Sequence, residues 1–193
     1  SMGDPRNPAR ADEPWNPVRF AVLRAELEAL KYNVTLSGGW AWHFMAPPHE
    51  ELKLHHDHRD VDLFVEPERL VELIHLLEER SYSRVWTRHD KHANGRFVRY
   101  AKHVMPLSEI GWRKEGEPLD PRPNPELVKV LLDVFIAKVP FIEVQGFRVV
   151  EPKHLLSLYE TTHSTNDCTS VVNARKLLAK GVDPVGRAEL VTR

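Results

Sequence analysis

Two aspartates in the segment "HRDVDLFV", Asp60 and Asp62, are the first residues whose type and spacing could do chemistry. The segment alternates in the manner of a β-strand, so both carboxylates leave the same face, with their Cα atoms about 7 Å apart. Such a pair of carboxylates usually binds a cation, and hard carboxylate oxygens select Mg²⁺ or Mn²⁺. The spacing therefore predicts a divalent-metal site, with the solvent-facing side of an edge strand as the alternative.

A third carboxylate, Asp133, lies inside the otherwise apolar strand segment "VLLDVFIA". Burying a lone carboxylate is costly unless it is paired or bound to a metal. If this strand lies beside the strand of Asp60 and Asp62, three carboxylates converge and a two-metal phosphoryl-transfer site is predicted. The alternative for Asp133 is a salt bridge to a nearby lysine or arginine.

A phosphate-binding turn is predicted at Ser37-Gly38-Gly39, between the short strand segment "VTL" and the helical segment "WAWHFMA". The free N–H groups and the dipole at the start of a helix favour phosphate, and glycine lets the backbone approach closely. A double glycine ahead of an Asp-x-Asp strand is a stronger signal than either motif alone. Arg96 and Arg99, in a later segment, are candidates for neutralising phosphate charge or for plain surface charges.

The histidines of the intervening segment offer a rival chemistry. The first half of a zinc-hydrolase site has the same spacing as His56, His58 and Asp60, and imidazole is a common zinc ligand. That pattern expects a histidine directly after the aspartate, where this chain has Val61. His49, His55 and His56 are therefore interpreted as surface-loop residues, and His58 as a residue that orients the site or contacts phosphate.

The combination of a Gly-Gly turn, an Asp-x-Asp strand and a later carboxylate resembles the DNA polymerase β-like nucleotidyltransferase superfamily. Within it, the likeness is greatest to the small aminoglycoside- and lincosamide-type nucleotidyltransferases. The residues that carry it are Gly38, Gly39, Trp40, Ala41, His58, Asp60, Asp62 and Leu63.

The resemblance implies a nucleotidyltransferase fold and transfer of a nucleoside monophosphate from an NTP, expected to be ATP, to a hydroxyl of a small-molecule acceptor. Pyrophosphate would be released. Ser37, Gly38, Gly39 and His58 would contact the nucleotide, Asp60 and Asp62 would bind Mg²⁺ or Mn²⁺, and Asp133 would be either a third metal ligand or the general base.

Several departures from the family pattern keep other functions open. The segment between Gly39 and Asp60 is longer than usual, and Tyr159 stands where a phosphate-contacting lysine is often found. These departures motivate a second hypothesis, a catalytically idle member that binds a nucleotide or a protein partner. Glu143, on the strand segment that follows Asp133 in the chain, is a further candidate for the general base.

The composition fits a cytoplasmic enzyme or binding module. The chain has 193 residues, a formal net charge of −1 and a single cysteine, Cys168. A near-neutral charge does not favour a nucleic-acid partner, and one cysteine excludes an internal disulfide framework. Neither a membrane-spanning run nor a signal-peptide pattern is present, so no membrane partner is predicted, and the oligomeric state is left open.

The elements that must position these residues follow an α/β (α+β) order, with a mixed β-sheet flanked by helices. We predict a flexible segment at 1–14, a nucleotidyltransferase core at 15–150 and a helical extension at 151–193. Hairpins are predicted at Asn94-Gly95 and within "FIEVQGFRVV".

Overall fold

The computed structural model describes residues 17–45, 60–91, 95–106, 127–162, 169–179 and 191–192. Its helices are α1 (Pro17–Leu30), α2 (Gly38–Met45), α3 (Leu70–Glu79), α4 (Pro152–Thr162) and α5 (Thr169–Ala179). Its strands are β1 (Thr35–Leu36), β2 (Asp60–Val65), β3 (Ser83–Val85), β4 (Phe97–Val104), β5 (Val128–Ile136), β6 (Phe141–Val144), β7 (Phe147–Val150) and β8 (Val191–Thr192). The segment predicted to be flexible, 1–14, lies outside the described residues.

The strands form one mixed sheet in the order β3-β4-β5-β2-β1-β7-β6-β8. The pairs β2–β5 and β1–β7 are parallel, and the remaining neighbours are antiparallel. This arrangement confirms the predicted class, a mixed sheet with helices. It also puts the strand of Asp133 directly beside the strand of Asp60 and Asp62.

Strand β2 separates a buried face of the sheet from a more open one. Val61, Leu63 and Val65 are at most 1% exposed, whereas the alternate residues Asp60 and Asp62 are half-buried. This is the alternation that the sequence predicted, and it follows from the two-residue period of a strand. We call the side that carries Asp60 and Asp62 the carboxylate face and the other side the core face.

Helices α1 and α3 supply apolar residues to the core at three- and four-residue spacing. Leu23, Leu27 and Leu30 of α1 are fully buried, and so are Leu73 and Leu77 of α3. Residues three and four apart share one side of a helix, so each helix presents a continuous apolar stripe. The predicted helix after Pro67 begins as a short 3₁₀-helix at Pro67–Arg69 before α3 starts.

One of the two predicted hairpins has a tight turn. Gln145 and Gly146 join β6 to β7, and both have positive φ, +54° and +84°. This is the conformation that a two-residue hairpin turn requires to match the twist of its strands. The prediction within "FIEVQGFRVV" is therefore confirmed.

The other predicted hairpin joins β3 to β4. Strands β3 and β4 do pair in antiparallel fashion, but their connection contains a 3₁₀-helix at Arg88–Lys91, and Asn94 lies outside the described residues. Asp90 stabilises this connection by accepting hydrogen bonds from the Thr87 N–H and from Arg84. The predicted hairpin is therefore confirmed in its strand pairing, and the position of its turn at Asn94-Gly95 stays a prediction.

The C-terminal helices pack into the same core as the sheet. Leu155 and Tyr159 of α4 and Val171 and Ala174 of α5 are all buried within the main apolar cluster. Strand β8 also returns to pair with β6. Among the described residues, no helix is both long enough and apolar enough to cross a membrane.

Candidate active site

Asp62 and Asp133 are side by side across a parallel strand pair. The register of β2 and β5 aligns Asp62 with Asp133 and Asp60 with Leu131. Aligned residues of neighbouring strands share a face and are separated by about 5 Å. The structure thus brings the three predicted carboxylates together on the carboxylate face, with Asp60 one strand period from the other two.

Asp133 is bound by an arginine on the next strand. Arg99 of β4 is aligned with Asp133, and its Nε and Nη2 donate hydrogen bonds to Oδ1 and Oδ2 at 2.5 and 3.1 Å. A salt bridge was the alternative predicted for Asp133, and the structure contains one. Arg99 was predicted only as a phosphate-neutralising or surface charge, since the partner of a strand arginine depends on a register that the sequence does not show.

The pKa values of Asp133 and Arg99 depend on each other and on the charges of Asp60 and Asp62. Burial raises the pKa of Asp133, the charges of Asp62 and Asp60 raise it further, and the Arg99 bond only partly offsets them. The hydrogen bond to Asp133 raises the pKa of Arg99, and the charges of Asp133, Asp60 and Asp62 add to this effect. A buried carboxyl perturbed by its own neighbours is typical of functional sites, although ion pairs within a fold also produce it.

The Ser37-Gly38-Gly39 turn lies against Asp62. The Ser37 N–H donates to the Asp62 carbonyl at 2.9 Å, and the Ser37 carbonyl accepts from Ala41, so α2 starts here. Gly38 has φ +60°, and a Cβ built on it would lie only 2.6 Å from Oδ2 of Asp62. Glycine is therefore required twice over, for its backbone conformation and for its closeness to the carboxylate.

The start of α2 consequently lies beside the carboxylates. The first N–H groups of a helix lack partners within the helix and carry the positive end of its dipole. Here the first residue of the helix, Gly38, lies against the Asp62 side chain, and both glycines of the turn are buried. The turn and the carboxylates can therefore serve one ligand, with the phosphate at the turn and a cation at the acids.

A row of aromatic rings, which was not predicted as part of the site, lies next to these charges. Phe64 and Phe135 lie two residues after Asp62 and Asp133 on their strands, and Phe97 lies two residues before Arg99. The strand register aligns both Phe64 and Phe97 with Phe135. Their ring centroids are 5.6 Å apart for Phe64–Phe135 and 5.3 Å for Phe97–Phe135. The alternation of each strand indicates which face its phenylalanine occupies. The alignment of the three rings, however, depends on how the strands pair.

Glu143, the other predicted candidate for the general base, is not brought to this place. Glu143 lies on β6, and β1 and β7 separate β6 from β2, a lateral distance of about 14 Å at the usual strand spacing. This position removes Glu143 as the base for a reaction at Asp62. Tyr159 is 7% exposed and belongs to the apolar core.

The histidine predictions fall outside the described residues. His49, His55, His56 and His58 all lie in 46–59. Within the described part of the chain, no group of three His, Cys, Asp or Glu side chains is arranged to hold a metal ion. The metal assignment of Asp60, Asp62 and Asp133 therefore remains a prediction.

Comparison with known proteins bears on the fold. No family model matches the chain, and no curated protein matches it. The chain is similar in structure to JHP933 from Helicobacter pylori, with a TM-score of 0.55 and 13% identity over 84% of this chain and 65% of that protein. The chain thus spans less than two thirds of JHP933, and at this identity the likeness concerns the fold alone.

Proposed function

We propose that this protein is a nucleotidyltransferase of the DNA polymerase β-like fold. It moves a nucleoside monophosphate from an NTP, expected to be ATP, to a hydroxyl of a small acceptor and releases pyrophosphate. The observation that carries the proposal is the contact between the Gly38 turn and Asp62, with Asp133 aligned on the neighbouring strand. It combines a backbone site suited to phosphate with carboxylates suited to a divalent cation.

The donor set fits Mg²⁺ or Mn²⁺ in its chemistry. Asp60 and Asp62 supply oxygen ligands from one strand face, and phosphate oxygens of the nucleotide would add to them. When bound, such an ion neutralises charge on the phosphates and on the departing pyrophosphate. Asp60 and Asp62 are therefore the residues that would hold it.

The remaining residues of the site would bind phosphate, accept a proton and orient the carboxylate that accepts it. The N–H groups that follow Ser37 would hold phosphate oxygens, and the start of α2 would favour their negative charge. Asp133 is the candidate base for the acceptor hydroxyl, since its pKa is raised by burial, which makes it a better proton acceptor than an ordinary carboxylate. Arg99 would keep this carboxylate oriented.

The binding test is a thermal shift with ATP and Mg²⁺. At about a hundredfold excess over Kd, a ligand stabilises by about 2.7 kcal/mol, which corresponds to a rise in Tm of about 5–10 °C for a chain of this size. We expect this rise only when both ATP and Mg²⁺ are present. It should disappear in Asp62→Asn and persist in Glu72→Gln, whose side chain is 60% exposed on α3.

The activity test is release of labelled pyrophosphate from γ-labelled ATP in the presence of a panel of hydroxyl compounds. Asp60→Asn and Asp62→Asn should each reduce the rate at least about a hundredfold, because the charge on the phosphates is no longer neutralised. Glu72→Gln should leave it unchanged. Release that survives both aspartate substitutions would contradict the proposed site.

A catalytically idle nucleotide-binding protein is the second candidate. The observation that favours it is the Arg99–Asp133 ion pair, which engages the third carboxylate with both of its oxygens. This candidate predicts the same Mg²⁺-dependent thermal shift with ATP, but no pyrophosphate with any acceptor. The two assays together therefore separate the candidates.

A further inference from the structure

Three phenylalanines run across the sheet beside the charged residues of the carboxylate face. Phe64, Phe135 and Phe97 are aligned across β2, β5 and β4, and each lies two residues from a charged residue of the candidate site on its own strand. We call them the aromatic row. Because residues two apart on a strand share a face, the rings and the charges lie on one side of the sheet, with Cα atoms about 7 Å apart along each strand. One small ligand can therefore contact both.

The middle ring of the aromatic row is exposed, although its strand lies inside the sheet. Strand β5 has β2 on one side and β4 on the other, yet Phe135 is 36% exposed. Phe97 is buried and packs against it with ring centroids 5.3 Å apart, and Phe64 is half-buried at 5.6 Å. An apolar surface with a few polar groups beside it is typical of a small-molecule site.

The aromatic row extends to the side of Asp133 that is away from the phosphate turn. Gly38 lies against Asp62 at the start of α2, which follows β1, and β1 pairs with β2 on the edge opposite to β5. A nucleotide held at the turn would therefore approach the carboxylates from β1. Phe135 and Phe97 lie on β5 and β4, so the aromatic row is placed for the acceptor rather than for the nucleotide.

We propose that the aromatic row binds the acceptor, and that this acceptor is a small aromatic compound with a hydroxyl group on its ring. The inference rests on the proposed function and adds the substrate class to it. The ring of the acceptor packs on Phe135 and Phe64, and its hydroxyl reaches Asp133. Aromatic rings attract one another in offset or edge-to-face arrangements, so a flat ligand gains more from the aromatic row than a saturated one.

A carboxylate base also suits an aryl hydroxyl better than an aliphatic one. The pKa of an aryl hydroxyl is about 10, as in tyrosine, whereas that of water is about 15.7. The oxygen of the acceptor bonds to the α-phosphorus of ATP, and the bond from that phosphorus to the bridging oxygen breaks. Pyrophosphate leaves with the bonding electrons, and Asp133 takes the hydroxyl proton. The product is an aryl ester of AMP.

The binding test compares 2-naphthol with its saturated counterpart, decahydro-2-naphthol, by titration with saturation-transfer NMR. Mg²⁺ and α,β-methylene-ATP are present, and because the methylene bridge cannot be cleaved, binding is measured without turnover. Wild type should bind 2-naphthol about fivefold more tightly than the saturated alcohol. Phe135→Leu keeps an apolar side chain without the ring, so it should lose this preference.

Tyr32→Leu is the matched control for the loss of an exposed ring. Tyr32 follows α1, is 67% exposed and has the Lys31 ammonium over its ring. This variant should bind both compounds as wild type does. In the pyrophosphate assay, Phe135→Leu should raise the KM for 2-naphthol about fivefold and leave kcat and the KM for ATP unchanged, because the ring contributes only to acceptor binding. Circular dichroism checks that each variant is folded.

Several outcomes would overturn the proposal. They are equal binding of the two compounds to wild type, no binding of 2-naphthol, and a preference that survives in Phe135→Leu. A raised KM for ATP alone in Phe135→Leu would assign the aromatic row to the nucleotide base instead. A dimer that dissociates in Phe135→Leu, measured by light scattering, would assign it to a second copy of the chain.

Failure of the proposed function gives a different result. In that case the preference for 2-naphthol would hold and would depend on Phe135, but no acceptor would release pyrophosphate. Release with aliphatic hydroxyl compounds and not with 2-naphthol would have the opposite meaning. It would keep the proposed function and overturn the aromatic acceptor.

Discussion

Two buried acids, one on each face of the sheet, have opposite electrostatic surroundings. On the core face, Glu26 of α1 is 5% exposed and accepts hydrogen bonds from Arg80 at 2.6 Å and from the Tyr82 hydroxyl at 3.1 Å. Lys102 of β4 also forms an ion pair with it. On the carboxylate face, Asp133 is equally buried but has only Arg99 as a cation partner among the described residues, with Asp60 and Asp62 close by.

Their pKa values shift in opposite directions. Burial by itself raises the pKa of Glu26, but the bonds and charges of Lys102 and Arg80 bring it below the usual range. For Asp133, burial together with the two neighbouring acids keeps the pKa above its usual range despite Arg99. Glu26 is thus fully compensated and ties α1 to β4, whereas Asp133 is under-compensated, as a group that must accept a cation or a proton would be.

The largest expected difference between the two acids is in stability. Glu26→Gln leaves Arg80 and Lys102 near a neutral amide and should lower the free energy of unfolding by about 3 kcal/mol. Asp133→Asn should cost about 1 kcal/mol or less, because it also removes repulsion from Asp62, and Arg99 is partly reached by water. Urea unfolding at pH 7 in EDTA measures both. Equal losses would contradict the comparison.

The next effect concerns the closeness of the turn to the carboxylate face. Gly38→Ala should destabilise by about 2–3 kcal/mol, since Asp62 must move away from the new methyl group and alanine disfavours positive φ. It should also abolish the thermal shift with ATP and Mg²⁺.

Gly95→Ala is the control for that substitution. Gly95 has φ +75°, but a Cβ added there would meet no atom within 4 Å among the described residues beyond its chain neighbours. The variant should therefore show only the conformational cost of about 1 kcal/mol and keep nucleotide binding. If the two alanine variants behaved alike, the Gly38–Asp62 contact would have no special role.

The local sequence pattern predicted much of the carboxylate face. The alternation of β2 put Asp60 and Asp62 on one face and Val61 and Leu63 on the other, because side-chain direction along a strand depends only on sequence position. The glycine turn and the start of α2 were predicted for a similarly local reason, the conformational freedom of glycine next to a strand.

The features that the sequence did not predict depend on which distant segments of the chain pair in the fold. That β2 lies beside β5 was stated only as a condition, and Arg99 gained its partner solely through the β4–β5 register. Glu143 was misjudged because chain order does not give sheet order: β6 follows β5 in sequence but lies four strands away from it. The Glu26 cluster was missed for the same reason, since α1, β4 and the end of α3 meet only in the fold.

The smallest expected effect is the pH dependence of stability, at most about 1.4 kcal/mol per pH unit for one proton. The folded pKa of Glu26 lies below its ordinary value of 4.5, so between the two the unfolded chain binds more protons and stability falls on acidification. The folded pKa of Asp133 lies above its ordinary value of 3.8, so between the two the folded chain binds more protons and stability rises on acidification. Urea unfolding from pH 3.5 to 7 in EDTA should therefore show a shallower acid loss in Glu26→Gln and a steeper one in Asp133→Asn than in wild type. Parallel changes in both variants would mean that the two acids do not differ as their surroundings indicate.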